Sequence, residues 1–291
     1  MKTFFLLLLL TFSASAAEVN LGPEREVRPP ALIPMFGQQI DPQVAWNGRS
    51  YVAVWIDLTG GALRATRLNA EGRALKPLGQ LVAGGVSSAR IAAAENGYLV
   101  VWKGDQGLFS IRLNDFGTPV GEARALAGSA ATPLALAWNG STSLLVSRAD
   151  GIHPQPVTIW ILDGEGKPIV TKTDAPLGPP LGVHAVGRTY MYVDAPCPAN
   201  CARIVTVAED GELTARTIDN LPDSYERAAF SDDRILLVSA GAANSFVLVD
   251  YCTLDTSGLD QGEKKPGKEF TASVSETRFR VVDENDSLAV H

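Results

Sequence analysis

A turn that closes on glycine recurs along this chain at a nearly fixed interval, and a chain so built folds as repeated modules. It reads Asn69-Ala-Glu-Gly72, Asn114-Asp-Phe-Gly117, Asp163-Gly-Glu-Gly166, Ala208-Glu-Asp-Gly211 and Asp255-Thr-Ser-Gly258, with final glycines about 45 to 49 residues apart. A second turn keeps step with it: Asn47-Gly48, Asn96-Gly97, Asn139-Gly140, Gly187-Arg188, Asp232-Asp233 and Asn285-Asp286. These residue types tolerate the positive φ angles that tight hairpins need. The first unit, Asp41 to Leu81, holds four extended runs joined by such turns.

The runs differ in a way that orders them. The second is apolar at consecutive positions, as in Val52-Ala-Val-Trp55, Leu99-Val-Val-Trp102, Leu144-Leu-Val146, Met191-Tyr-Val193 and Leu236-Leu-Val238. A strand apolar on both sides has to be covered on both faces. The third alternates, with Phe109, Ile111 and Leu113 set against Ser110, Arg112 and Asn114. The fourth is broken by Pro77 or Pro119, which suits an outer edge. Four-stranded sheets stacked face to face around an axis produce that gradient, so the expected fold is an all-β propeller of antiparallel blades, five complete and a sixth partial. A β-solenoid usually repeats at shorter periods, and no window outside the N-terminus carries a helical apolar stripe.

Residues 1–17 read as a signal peptide: Lys2, an apolar stretch Phe4 to Phe12, and the small residues Ala14-Ser15-Ala16. That stretch is shorter than the roughly 20 residues of a membrane-spanning helix. The expected mature chain, 18–291, is exported, secreted or periplasmic, and has no membrane span. The sixth unit starts at Thr277 and reaches His291 at the position of Trp55 and Trp102. Val19 to Leu32 resembles the tail of a unit, and so is a candidate outer strand for the last blade. Either the ring closes with a three-stranded blade or the sequence is a fragment of a longer product; the unpaired edge favours the fragment.

Val44-Ala-Trp-Asn-Gly48 followed by Tyr51 to Asp57, Asn96-Gly-Tyr-Leu-Val-Val-Trp102 and Ala137-Trp-Asn-Gly140 resemble the blades of secreted bacterial β-propeller repeat proteins. The resemblance is strongest in the first three units. It implies a propeller and an exported address, and no particular activity.

The chain carries 25 Lys and Arg against 32 Asp and Glu, without a basic cluster, which argues against nucleic acid as a partner. In a propeller the tight turns lie on one face, and the second-to-third loops with the connections between blades lie on the other. Those loops vary, and binding sites are usually built on variable loops of a rigid scaffold. The candidate ligand-binding residues are Asp57, Lys103, Asp105, Arg148, Asp150, His153 and Asp194, types equally at home on solvated hairpin ends. A glycosidase needs two carboxylates about 5–10 Å apart, which Asp57, Asp105 or Asp150 would have to supply.

No HExxH, paired-histidine, GxSxG, calcium-loop or phosphate-loop motif occurs, so no catalytic residue, metal or cofactor is expected. His184 sits in an inner strand and reads as a satisfied core histidine. Cys197 and Cys201 are the first candidates for a disulfide, with Cys252 the alternative partner of either. Asn139-Gly-Ser141 and Asn285-Asp-Ser287 fit a glycosylation sequon, which turn chemistry explains equally well. The expected function is therefore an exported, non-catalytic scaffold that binds a protein or a glycan through its loop face. A glycosidase or lyase with acidic residues at the channel mouth is the alternative.

Overall fold

The computed structural model describes residues 38–127, 131–151, 157–175, 177–195, 201–218, 227–230, 234–238, 246–250, 256–259, 269–274, 277–284 and 287–290. Among these every regular element is a strand, in six antiparallel sheets that each meander in chain order. The first blade holds β1 (Gln39–Trp46), β2 (Tyr51–Asp57), β3 (Ala62–Leu68) and β4 (Gln80–Ala83). The second holds β5 (Val86–Ala94), β6 (Gly97–Gly104), β7 (Gly107–Leu113) and β8 (Pro119–Ala127), and the third β9 (Ala131–Trp138), β10 (Ser143–Ala149), β11 (Val157–Leu162) and β12 (Pro168–Ala175). The fourth holds β13 (Pro180–Val186), β14 (Thr189–Asp194), β15 (Ala202–Val207) and β16 (Leu213–Ile218), and the fifth β17 (Arg227–Phe230), β18 (Arg234–Val238), β19 (Phe246–Asp250) and β20 (Thr256–Leu259). The sixth sheet has three strands, β21 (Glu269–Val274), β22 (Thr277–Glu284) and β23 (Ser287–Val290). Neighbouring blades touch chiefly through their first strands, β1 on β5, β5 on β9, β9 on β13 and β13 on β17, so these lie innermost. The fold is a β-propeller.

The second strands show why the stack holds. On β2, Val52, Val54 and Ile56 face the second blade and are fully buried against Tyr98, Val100 and Trp102 of β6. The alternate residues of β6, Leu99 and Val101, turn the other way and pack on Leu145 and Leu162 of the third blade. Leu144 and Val146 then meet Tyr190 and Tyr192 of the fourth, whose Val193 meets Ile235 and Leu237 of the fifth. Burying each such side chain contributes about 1.5–3 kcal/mol. Fourth strands are exposed, β8 and β16 over most of their length, as the proline-broken runs predict.

Some details differ from the sequence expectation. Ser110 is buried and Phe109 only half-buried: Phe109 stacks on Trp102 at 5.7 Å, while Ser110 faces the third blade and donates to the Gly166 carbonyl at 3.2 Å. The first four glycine-closed turns form as expected, with Gly72, Gly117, Gly166 and Gly211 at φ between 73° and 82°. Gly166 is doubly constrained, since a Cβ there would come within 2.7 Å of Leu99 in the preceding blade. Gly258 instead lies inside β20, opposite Val247. In the second blade Ala94 pairs with Gly97, which makes Glu95-Asn96 the turn rather than Asn96-Gly97. The sixth sheet contains β21, ahead of the Thr277 start expected from the repeat; β22 and β23 pair across residues 285 and 286 as expected. Residues 1–37, including the segment read as a signal peptide, lie outside the described residues.

Candidate functional site at the loop face

Because first strands run from the connection side to the tight-turn side, second strands deliver their last residues to the loop face. Asp57 ends β2 and starts the next loop. Its carboxylate accepts from the Thr59 amide at 3.1 Å and from Arg64 Nε at 3.1 Å. The Thr59 amide, followed by Arg64, holds this carboxyl below its usual range.

Lys103, near the end of β6, reaches across to the third blade and pairs with Asp150. Asp150 Oδ1 also accepts from Thr132 Oγ1 at 2.9 Å. The Lys103 ammonium holds the Asp150 carboxyl below its ordinary range, with help from Thr132 and the charge of Arg148. Arg148 and Thr132 are cross-strand partners in the third blade. The loop ends of blades two and three thus gather Lys103, Asp150, Arg148 and Thr132 into one polar cluster.

The other candidates stand apart. Asp105 is exposed and lies against the connection between blades one and two, where a Cβ on Gly85 would come 2.9 Å from Asp105 Oδ2. Asp194 is fully buried: it takes Arg203 Nε at 2.9 Å and Nη2 at 2.5 Å, and the Gly178 amide at 2.6 Å. Bonding to Asp194 raises the Arg203 guanidinium above its ordinary value. This pair ties the loop end of β14 to β15 and to the segment before β13. His153 lies outside the described residues. His184, half-buried on β13, stacks on Phe230 of the next blade at 5.4 Å and 11°. Cys201 is buried and disulfide-bonded; Cys197 and Cys252 lie outside the described residues. Among the described residues no three His, Cys, Asp or Glu side chains converge as metal ligands.

One inter-blade link near the axis was not anticipated. Arg90 on β5 gives Nη1 to both oxygens of Asp41, at 2.9 and 3.2 Å, and Nε to the Leu134 carbonyl at 2.8 Å. It therefore joins the inner strands of three blades. Asp41 sits at φ 50° in a bulge of β1 that shifts the register between Ile40 and Gln43. The Asp41-Pro42 dipeptide is the sequence signal for that irregularity, since Asp-Pro favours turn initiation.

No family model matches this chain, and no curated protein matches it. Solved structures do resemble it. A subtype N10 neuraminidase-like protein of A/little yellow-shouldered bat/Guatemala aligns with a TM-score of 0.56 at 10% identity, over 87% of this chain and 93% of its own. A subtype N11 neuraminidase-like protein of A/flat-faced bat/Peru aligns with a TM-score of 0.55 at 9% identity, covering 87% and 86%. A chain of a mitotic checkpoint complex aligns with a TM-score of 0.51 at 12% identity, covering 99% and 88%. At such identities the likeness is one of fold: this chain is similar to them as a propeller scaffold.

Proposed function

We propose that this protein is an exported, non-catalytic propeller that binds a partner, protein or glycan, through the loop face of its second and third blades. The observation that carries this reading is the cluster of Lys103, Asp150, Arg148 and Thr132, which sets fixed charges of both signs on a rigid rim. Mixed fixed charge suits recognition and orientation of a polar partner. The cluster suits acid catalysis poorly. A glycosidase acid needs a carboxyl raised toward neutrality, whereas those of Asp57 and Asp150 are lowered by their donors. The disulfide at Cys201 accords with an oxidising, extracytoplasmic address, as do the N-terminal targeting pattern and the resemblance to secreted repeat proteins.

The test is a capture experiment with the mature chain as bait, against extracytoplasmic extract and a glycan array. Wild type is expected to retain a partner that Lys103→Glu with Arg148→Glu loses by at least about tenfold, the equivalent of 1.4 kcal/mol. Exchanging Glu71 for Lys on the tight-turn face is expected to leave capture unchanged. Equal capture by the wild-type and loop-face variants rejects the proposal.

A further inference from the structure

Three turns of this chain read Asn-Gly: Asn47-Gly48, Asn96-Gly97 and Asn139-Gly140. In such a pair the glycine nitrogen can close on the asparagine side chain and expel its amide, because no Cβ hinders the approach. The closure needs a free nitrogen and a free side-chain amide, and each turn withholds one of them. Asn96 is exposed and its side chain makes no bond to a described residue, but Gly97 is buried and opens β6 paired with Ala94. A Cβ on Gly97 would collide with the Leu113 carbonyl oxygen. Gly48 and Gly140 are the reverse. Both are exposed, at φ 89° and 100°, a Cβ on either would meet nothing within 4 Å, and neither nitrogen donates to a described residue. In these two turns the asparagine is what is held.

Asn139 is held from both sides. Its Oδ1 accepts from the Ser141 and Thr142 amides at 2.9 and 2.8 Å, within its own hairpin. Its Nδ2 donates across the blade boundary, to the Arg188 carbonyl and to Glu209 Oε1, each at 3.1 Å. Glu209 is fixed in turn by Ser141 Oγ and Arg188 Nη2, both at 2.5 Å. Ring closure has to swing Cγ onto the Gly140 nitrogen and release Nδ2, so it breaks the bonds on both sides.

We infer that Asn139 is a latched hydrolysis site: its side-chain amide is lost through a cyclic imide with Gly140 when the fourth blade lets go of it, and the carboxylate left behind keeps the two turns apart. The Gly140 nitrogen bonds to Asn139 Cγ as the Cγ–Nδ2 bond breaks, and Nδ2 leaves as ammonia with the proton from Gly140. Water then adds to one of the two imide carbonyls. Opening at Cγ leaves aspartate; opening at the main-chain carbonyl leaves isoaspartate. One water enters, one ammonia leaves, and nothing is oxidised. Either product sets a negative charge against Glu209 in place of a donor, so an attraction between blades three and four becomes a repulsion.

Peptide mapping of the full mature chain during prolonged incubation near neutral pH, with both acidic products resolved, tests this. Glu209→Ala removes the latch, and conversion of Asn139 is expected to run at least about tenfold faster than in wild type, since the rate follows local opening of the turn. Asn47, held separately by Asp115 at 2.6 Å, is expected to keep its wild-type rate in that variant and to quicken in Asp115→Ala. Equal rates at Asn139 in wild type and Glu209→Ala, zero included, overturn the inference, and so does a Glu209→Ala variant that quickens both asparagines alike. Asn139→Asp tests the consequence. Amide exchange over residues 208–212 is expected to quicken at least about tenfold while residues 98–113 keep their protection. Unchanged exchange over 208–212 overturns the inference as well.

Discussion

Two kinds of blade interface alternate among the first four blades. Between blades one and two, Tyr98 reaches back so that its hydroxyl meets Ser50 Oγ at 2.9 Å; between blades three and four, Tyr190 meets Thr142 Oγ1 at 2.8 Å. Burial pushes both phenols above their ordinary pKa. Between blades two and three the equivalent position opposite Leu162 is Ser143, whose buried hydroxyl has no partner among the described residues. There Gly97 precedes Tyr98, where Ser50 and Thr142 precede the second strands of the first and third blades. That interface lacks both halves of the tyrosine contact. It relies instead on Leu99, Val101, Leu145 and Leu162, on Ser110 bonded to Gly166, and on the exposed pair of Arg112 with Glu165 at 2.5 Å. Copies of one module therefore do not make copies of one interface, and the aromatic residue decides which kind forms.

The tight-turn side repeats the alternation with charge. Asn47 donates to Asp115 at 2.6 Å, and Asn139 to Glu209 at 3.1 Å, each linking a first-hairpin turn to the next blade's glycine-closed turn. Donation from Arg188, Ser141 and Asn139 lowers the Glu209 carboxyl to about 2.

The largest expected effect comes from giving the fourth blade the third blade's residue. Tyr190→Ser removes a fully buried ring and is expected to cost about 3–5 kcal/mol in urea unfolding. A loss under about 1 kcal/mol would break the contrast between interfaces. Deleting only the hydroxyl is milder. Tyr98→Phe and Tyr190→Phe are each expected to lose about 1 kcal/mol, because each takes a hydrogen bond from a hydroxyl of the preceding blade, that of the buried Ser50 or the half-buried Thr142, and Tyr98 gives up its bond to the Ser50 carbonyl as well.

The charged turn gives a smaller, pH-dependent effect. A carboxyl whose folded pKa is depressed stabilises above its unfolded value and loses that contribution as pH falls toward the folded one. For Glu209 the contribution is present at neutral pH, fades below about 4.5 and is gone near 2. Glu209→Gln is therefore expected to be less stable than wild type at pH 7 and indistinguishable near pH 2, by thermal melts across that range. Convergence in the opposite direction contradicts the assignment. The smallest effect is expected at Ser143→Ala, neutral or stabilising by up to about 1 kcal/mol, since it removes a hydroxyl that has no partner.

How much of this the sequence carried depends on whether a feature is local. Turn positions are: Asn47 and Asn139 cap their own hairpins through side-chain oxygens that accept from amides two and three residues on. The doubly apolar second strands are also visible, because coverage on both faces is written into consecutive residues. Contacts between blades are not, since they join residues tens of positions apart through strand register. Hence no local pattern pairs Asp41 with Arg90, and the alternation of β7 sets Ser110 on a polar side although it faces the third blade. Asp194 reads as a loop residue because it opens the variable stretch to Cys201, yet its carboxylate is enclosed by Arg203 and Gly178. Lys103 and Asp150 are both visible as charged loop residues, but only the lateral approach of two blades makes them a pair.

Native-state amide hydrogen exchange tests the radial stack most directly. Second strands, covered on both faces, are expected to exchange slowest: Val52–Ile56, Leu99–Trp102, Leu144–Val146 and Tyr190–Val193. The exposed fourth strands at Pro119–Ala127 and Leu213–Ile218 are expected to exchange fastest in their own blades. Fourth strands protected as strongly as second strands would contradict blades stacked about an axis.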